Sequence, residues 1–73
     1  MTRPIKETLG LRTVREWPPH PDAAPFWIAW SDRFGEDFAQ GMDAEREAAI
    51  EDLIASLIEK GVSPADIWEA EDA

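Results

Sequence analysis

The chain has 73 residues and carries sixteen Asp and Glu against seven Lys and Arg, which gives a formal net charge of −9. A chain of this length forms one domain with a small core. The absence of Cys and the single imidazole, His20, exclude a disulfide framework and a zinc site of Cys and His ligands. No apolar stretch approaches the roughly 20 residues of a membrane-spanning helix, and the N-terminus lacks a secretory signal, so we expect a cytoplasmic location away from membranes.

The first predicted element is a strand within the mildly basic head, residues 1–21. From Leu11 to Trp17, odd-numbered side chains would share one face and the charged Arg12 and Glu16 the other, as in an edge strand. The longer segment Ile5–Trp17 has a glycine turn and a basic second element, and it resembles the helix-turn-helix of bacterial DNA-binding proteins. Because prolines directly after Trp17 would stop that second element after about two turns, we favour the strand and keep DNA binding as an alternative.

The next predicted elements are a proline-rich loop over residues 18–25 and a second strand. Phe26–Ser31 is rich in aromatic and β-favouring residues, which predicts a strand that pairs with the first one in an antiparallel hairpin. We expect Phe26, Ile28 and Trp30 to point inward and Trp27 to point outward. A turn should follow, with a further short strand or helical turn near Phe38.

The same segment also permits a helix. Four aromatic residues would then lie on one helical stripe, capped by Asp22 and ending at Gly41; they are Trp27, Trp30, Phe34 and Phe38. Gly35 would cost about 1 kcal/mol in the interior of such a helix, which favours the strand.

The C-terminal part, residues 43–71, predicts a helical hairpin. Asp43 is a suitable N-cap, and apolar residues recur at spacings of three and four from there to Ile58, so the first helix should end at Lys60. Gly61 suits the left-handed position after a helix. Ser63 and the proline that follows it mark the start of a second helix.

The predicted fold class is therefore α+β, with a short antiparallel β-hairpin or small sheet packed against a C-terminal helical hairpin in one domain spanning residues 1–73. The alternative is an all-α arrangement of three to four short helices, which would follow if residues 26–38 were helical.

The chain lacks the residue patterns of catalysis, and we predict no enzyme and no cofactor or metal site. His20 lies in the proline-rich loop without a recognisable nucleophile beside it. The glycines are isolated, so none forms a phosphate-binding loop. Residues 31–37 contain carboxylates near a glycine but lack the alternating oxygen ligands of a calcium loop.

Carboxylates are the leading candidates for a binding site. Glu45, Asp52 and Glu59 are seven residues apart, which places them in one row on a helix at intervals of about 10.5 Å. The net charge exceeds the roughly 2 to 8 that keeps a small domain soluble. The remaining candidates are five further carboxylates and one outward aromatic anchor: Asp32, Glu36, Asp37, Asp66, Glu69 and Trp27.

These features predict a binding module whose partner is a basic surface of another protein, such as one that normally holds DNA or RNA. In size and charge, though in no residue motif, the chain resembles phage-encoded inhibitors of host defence, including acidic anti-CRISPR proteins. Two alternatives remain: a small accessory subunit that docks through Trp68 and neighbouring apolar residues, and an acidic face that serves only solubility. We expect no direct contact with nucleic acid, and the oligomeric state stays open.

Overall fold

A computed structural model describes residues 4–69, which form a three-stranded antiparallel sheet, one long helix and two short helical turns. The elements in chain order are a 3₁₀ turn at Glu7–Leu9, β1 at Leu11–Glu16, β2 at Phe26–Ser31, β3 at Gly41–Asp43, α1 at Arg46–Glu59 and α2 at Pro64–Ile67. The predicted α+β class is confirmed, and the all-α alternative is wrong. No helix within residues 4–69 has the length and apolar character needed to cross a membrane.

The sheet has the order β1-β2-β3, so β2 is central and the other two strands are edges. Leu11 pairs with Ser31 and Glu16 with Phe26, as the predicted hairpin requires. The third strand lies slightly later than expected, because the amide of Phe38 donates to the carbonyl of Gly35 (3.1 Å) in a turn and the chain becomes extended only afterwards.

The N-terminal segment does not form a helix-turn-helix. Between positions 5 and 17 the backbone makes one 3₁₀ turn and then the strand β1. The likeness to a DNA-binding motif was therefore wrong, because the residues of its second element pair with β2 and have no helical hydrogen bonds.

Helix α1 starts two residues later than the sequence suggested. The Oδ1 atom of Asp43 accepts a hydrogen bond from the amide of Glu45 (3.1 Å) in the turn that precedes the helix. At the other end Gly61 has a φ of +96°. The amide of Gly61 donates to Ile58 O and the next amide donates to Leu57 O, both at 3.0 Å. This is the left-handed helix ending that was predicted.

The second helix of the predicted hairpin is present but short. The Ser63 side chain accepts a hydrogen bond from Ala65 N (3.3 Å), which confirms the N-cap, but α2 is only four residues long. Trp68 then forms an antiparallel bridge with Ile5. Backbone hydrogen bonds to the N-terminal segment, such as the one from Lys6 N to Ile67 O (2.9 Å), take the place of those that a longer helix would make. Residues 70 and 71 lie outside the described residues.

The core lies between α1 and one face of the sheet. Ala49, Leu53 and Leu57 of the helix are fully buried, as are Leu9 and Ile67 from the short turns. The Ala29–Gly41 cross-strand pair lies under the helix, where a Cβ atom built on Gly41 would stand only 2.0 Å from the carbonyl oxygen of Ala49. Small residues at this pair therefore allow α1 to approach the sheet closely.

This close approach decides which face of β2 is buried. Ala29 is in the core and Trp27 packs against it, and alternation along the strand places Phe26, Ile28 and Trp30 on the other face. The expectation that those three residues point inward and Trp27 outward was wrong. The physical reason is that the helix packs over the small side chain of Ala29 and leaves the larger alternate residues on the uncovered face.

Candidate partner-binding surfaces

Three of the predicted carboxylates lie on the β3 side of α1 or directly before it, and two more lie in the turn at residues 35–38. We call these five the acidic edge. All five residues are exposed; they are Glu36, Asp37, Glu45, Asp52 and Glu59. Glu45 stands where the helix begins and Glu59 where it ends. Lys60 joins the turn at residues 35–38 to that end, since its ammonium group donates to the Phe38 carbonyl.

Few positive charges offset this edge. Lys60 lies at one end of it, with its ammonium nitrogen 5.1 Å from the centre of the Phe38 ring. The ion pairs within residues 4–69 involve other carboxylates, and none reaches the acidic edge. The edge therefore presents a net negative field to the solvent.

Asp52 has a structural contact as well as a place in the edge. Its Oδ2 atom accepts a hydrogen bond from the backbone amide of Met42 (3.1 Å). In the β2–β3 ladder, alternation turns this amide away from β2. Asp52 thus accepts a hydrogen bond from an amide at the outer edge of the sheet and links α1 to β3.

Two other predicted carboxylates are already paired with cations of the chain. Asp32 Oδ2 accepts a hydrogen bond from Arg12 Nε at 2.5 Å, and Asp66 lies 3.7 Å from the guanidinium of Arg33. Both pairs are about half-exposed, where ion pairs contribute at most about 1 kcal/mol. Their charge is locally balanced, so they do not extend the acidic edge.

The last two predicted residues also lie apart from the acidic edge. Glu69 is exposed, and its backbone amide donates to Pro4 O (2.9 Å) in the pairing of the two terminal segments. Trp27 packs against the core on the helix side of the sheet, so it cannot act as the outward aromatic anchor that the sequence suggested.

A second surface, which the sequence did not predict, is the face of the sheet turned away from α1. We call it the open sheet face. Cross-strand pairing and alternation bring three half-buried apolar residues of β2 beside the partly exposed Val14 and Met42; the three are Phe26, Ile28 and Trp30. The signal for this face was the continuous apolar run of β2, which is typical of a strand with apolar residues on both faces.

A third surface is a groove of about 570 Å³ between α1 and the start of β1. Its apolar lining comes from the helix, from Leu11 and from the paired terminal segments; these residues are Ile5, Leu11, Ile50, Ile54, Ala55, Ile58 and Trp68. Arg46, Glu47 and Glu51 complete the lining, and Arg46 makes local contacts, since it donates to Thr13 Oγ1 (3.2 Å) and lies 3.7 Å from the Glu47 carboxylate.

No group of three or more His, Cys, Asp or Glu within residues 4–69 is placed to hold a metal ion. The Nδ1 atom of His20 accepts a hydrogen bond from the amide of Asp22 (3.3 Å), which stabilises the proline-rich loop.

The chain matches no protein-family model, and comparison with curated proteins and with solved structures finds no significant similarity. The candidate surfaces are therefore argued from their own geometry and charge.

Proposed function

We propose that this protein is a non-enzymatic binding module whose acidic edge engages a basic surface of another protein. One observation carries the proposal: five exposed carboxylates lie at α1 and in the turn that Lys60 joins to its end, and no ion pair within the described residues reaches them. A partner that supplies Lys and Arg would relieve the mutual repulsion of these groups and gain affinity from complementary charge.

The finer proposal is that the partner's surface is one that holds nucleic acid. Asp52 and Glu59 are seven residues apart in α1, about 10.5 Å along the helix, and Glu45 directly precedes its first turn. These charges would compete with phosphates for the same cations. The protein would then act as an inhibitor by occupying the surface. The cytoplasmic location expected from the sequence stays a prediction.

The test is a comparison of two charge-reversed variants. Glu45→Lys with Glu59→Lys alters the acidic edge while leaving the Asp52 contact to Met42 intact. Glu7→Lys with Asp22→Lys is the matched control, since both residues are exposed and lie outside the edge. Both double variants change the net charge equally, so a general charge effect would act on them alike.

Each variant and the wild-type chain are used to capture proteins from a cell lysate at about 0.05 M and 0.5 M salt. At low salt we expect the wild type and the control variant to recover a partner protein and the edge variant to lose it. Higher salt should release this partner, because screening shortens the Debye length. The purified partner should then bind duplex DNA or RNA less well when the wild type is added. Equal recovery by the edge variant would contradict the proposal.

A second candidate function is that of an accessory subunit that docks through apolar contacts. The open sheet face favours it, because Met42 is 55% exposed beside a row of half-buried aromatic and aliphatic side chains, and such faces are common at protein interfaces. Docking of this kind should be nearly indifferent to salt. It should be lost in Met42→Lys and retained in the acidic-edge variant.

A further inference from the structure

We propose that the outer edge of β1 and the adjoining groove bind an extended segment of a partner protein, which adds to the sheet as a fourth strand. The segment would carry apolar side chains at alternate positions and a Lys or Arg at one end. This proposal does not depend on the acidic edge, because the groove lies on the other side of α1.

The first observation is the pattern of hydrogen bonds along β1. The amide of Asp32 donates to the carbonyl of Gly10 (2.9 Å), which fixes that pair as a hydrogen-bonded one in the antiparallel ladder. The alternation of such a ladder then turns the amide and carbonyl groups of Leu11, Thr13 and Arg15 away from β2. Among the described residues no backbone group pairs with this outer edge of β1.

The second observation is that the same edge opens onto the apolar groove. Residues 11, 13 and 15 have their side chains on the helix side of the sheet, as the packing of Leu11 against the core shows. Near the start of α1, Arg46 reaches Thr13, and near its end Ile58 shares the groove with Trp68. Leu11 is the residue of β1 that lines the groove, so a strand added to β1 would direct the alternate side chains nearest Leu11 into the groove beside α1.

The spacing of the groove residues fits such a segment. Ile50, Ile54 and Ile58 follow one another at four-residue intervals along the helix, which is about 6 Å. Alternate side chains of a strand are about 6.7 Å apart. Alternate residues of an extended chain can thus follow this row, in which Ile50 and Ile54, 6% and 7% exposed, form the floor of the groove and Ile58, 44% exposed, is open to contact.

Charge identifies the chemistry of the occupant. Glu47 and Glu51 lie beside the apolar row towards the start of α1, and both are exposed. Arg46 lies 3.7 Å from the Glu47 carboxylate, whereas Glu51 makes no ion pair within the described residues. A cation at the end of the bound segment would therefore pair with Glu51. A second copy of this chain fits less well, since each copy carries a net charge of −9 and the two would repel each other.

The probe is an acetylated and amidated heptapeptide in which one Lys is followed by three Val at alternate positions, separated by Thr. The control peptide has the same composition with the three Val contiguous, so that only the period of two is lost. Titration calorimetry gives the dissociation constants, and hydrogen exchange followed by NMR reports the amides of Leu11, Thr13 and Arg15.

Two variants test the two halves of the site. Thr13→Pro removes an amide that points away from β2, so no hydrogen bond to β2 is lost. Thr13→Val is its control, because the valine variant loses the hydroxyl contact to Arg46 but keeps the backbone amide. Ile58→Lys places a cation in the groove, and Ala24→Lys adds the same charge in the exposed proline-rich loop.

We expect the alternating peptide to bind at least about tenfold more tightly than the contiguous one and to slow exchange of the three outward amides. Thr13→Pro and Ile58→Lys should each weaken binding by about tenfold or more, and Thr13→Val and Ala24→Lys should not. Equal binding of both peptides, unchanged exchange of the β1 amides, or a dimer of the free chain that Thr13→Pro dissociates would each overturn the proposal. If Thr13→Pro does not fold, the Ile58→Lys comparison and the exchange data decide it.

Discussion

Replacing Gly41 with Ala is the most direct test of how the helix and sheet are packed. A Cβ atom at this position would lie 2.0 Å from Ala49 O and 2.4 Å from Leu53 N. Ordinary contacts of this kind are 3.4–4 Å long, so the methyl group overlaps two backbone atoms by 1 Å or more. Both atoms belong to α1, and neither can move without the helix.

The magnitude follows from the displacement that this overlap requires. If α1 moves about 1 Å away from the sheet, each atom pair across the interface loses between a quarter and a half of an attraction of about 0.1–0.2 kcal/mol. For about fifty such pairs the loss is about 3 kcal/mol, at the upper end of the usual cost of overpacking. A domain of 73 residues has a total stability of about 4–11 kcal/mol.

Thermal and urea unfolding followed by circular dichroism measure the effect. We expect the melting temperature of Gly41→Ala to fall by about 10–25 °C. Gly61→Ala is the control: it forces a side chain into the left-handed region at φ +96°, but its Cβ would meet nothing within 4 Å, so about 1–2 kcal/mol should be lost. A loss for Gly41→Ala no greater than that of the control would refute the close approach of α1 to β3.

Three further substitutions test other parts of the structure. Trp27→Ala should lower the free energy of unfolding by about 2–3 kcal/mol, because the ring packs against the core. The control Trp17→Ala, at a residue that is 68% exposed, should cost less than about 1 kcal/mol. Equal urea midpoints for the two variants would contradict this expectation. Ser63→Ala should cost about 1 kcal/mol through loss of the N-cap, and an unchanged melting temperature would argue against it. Asp52→Ala should cost about 1 kcal/mol and speed hydrogen exchange of the Met42 amide, whereas Asp52→Asn, which keeps an acceptor, should do neither.

The elements that depend on local sequence were predictable. The bounds of β2 follow from its aromatic and β-branched run between a proline and a turn, and the end of α1 follows from Gly61, whose left-handed backbone satisfies the last carbonyls. The helical repeat places Asp52 and Glu59 on one side of α1, whereas Glu45, which the sequence put in the same helical row, precedes the helix in an extended conformation.

The sequence could not fix which carboxylates keep an unbalanced charge. In the sequence Asp32 and Asp66 looked equivalent to the other candidate carboxylates. Folding pairs them with Arg12 and Arg33, which lie far from them along the chain. Such pairs depend on strand register and on how the short α2 turn packs, and neither is encoded in the spacing of charges along the chain.

By itself the sequence determined a small, strongly acidic domain with an amphipathic helix, and it favoured a strand over a helix for the aromatic run, because composition, periodicity and capping residues act over a few positions. Tertiary structure decided which face of β2 is buried, since both faces are apolar and only the close fit of α1 over Ala29 and Gly41 distinguishes them. It also turned Trp68 into a partner of Ile5 instead of a helical residue. Both outcomes depend on contacts between residues far apart in the chain, where packing and backbone hydrogen bonds outweigh local preference.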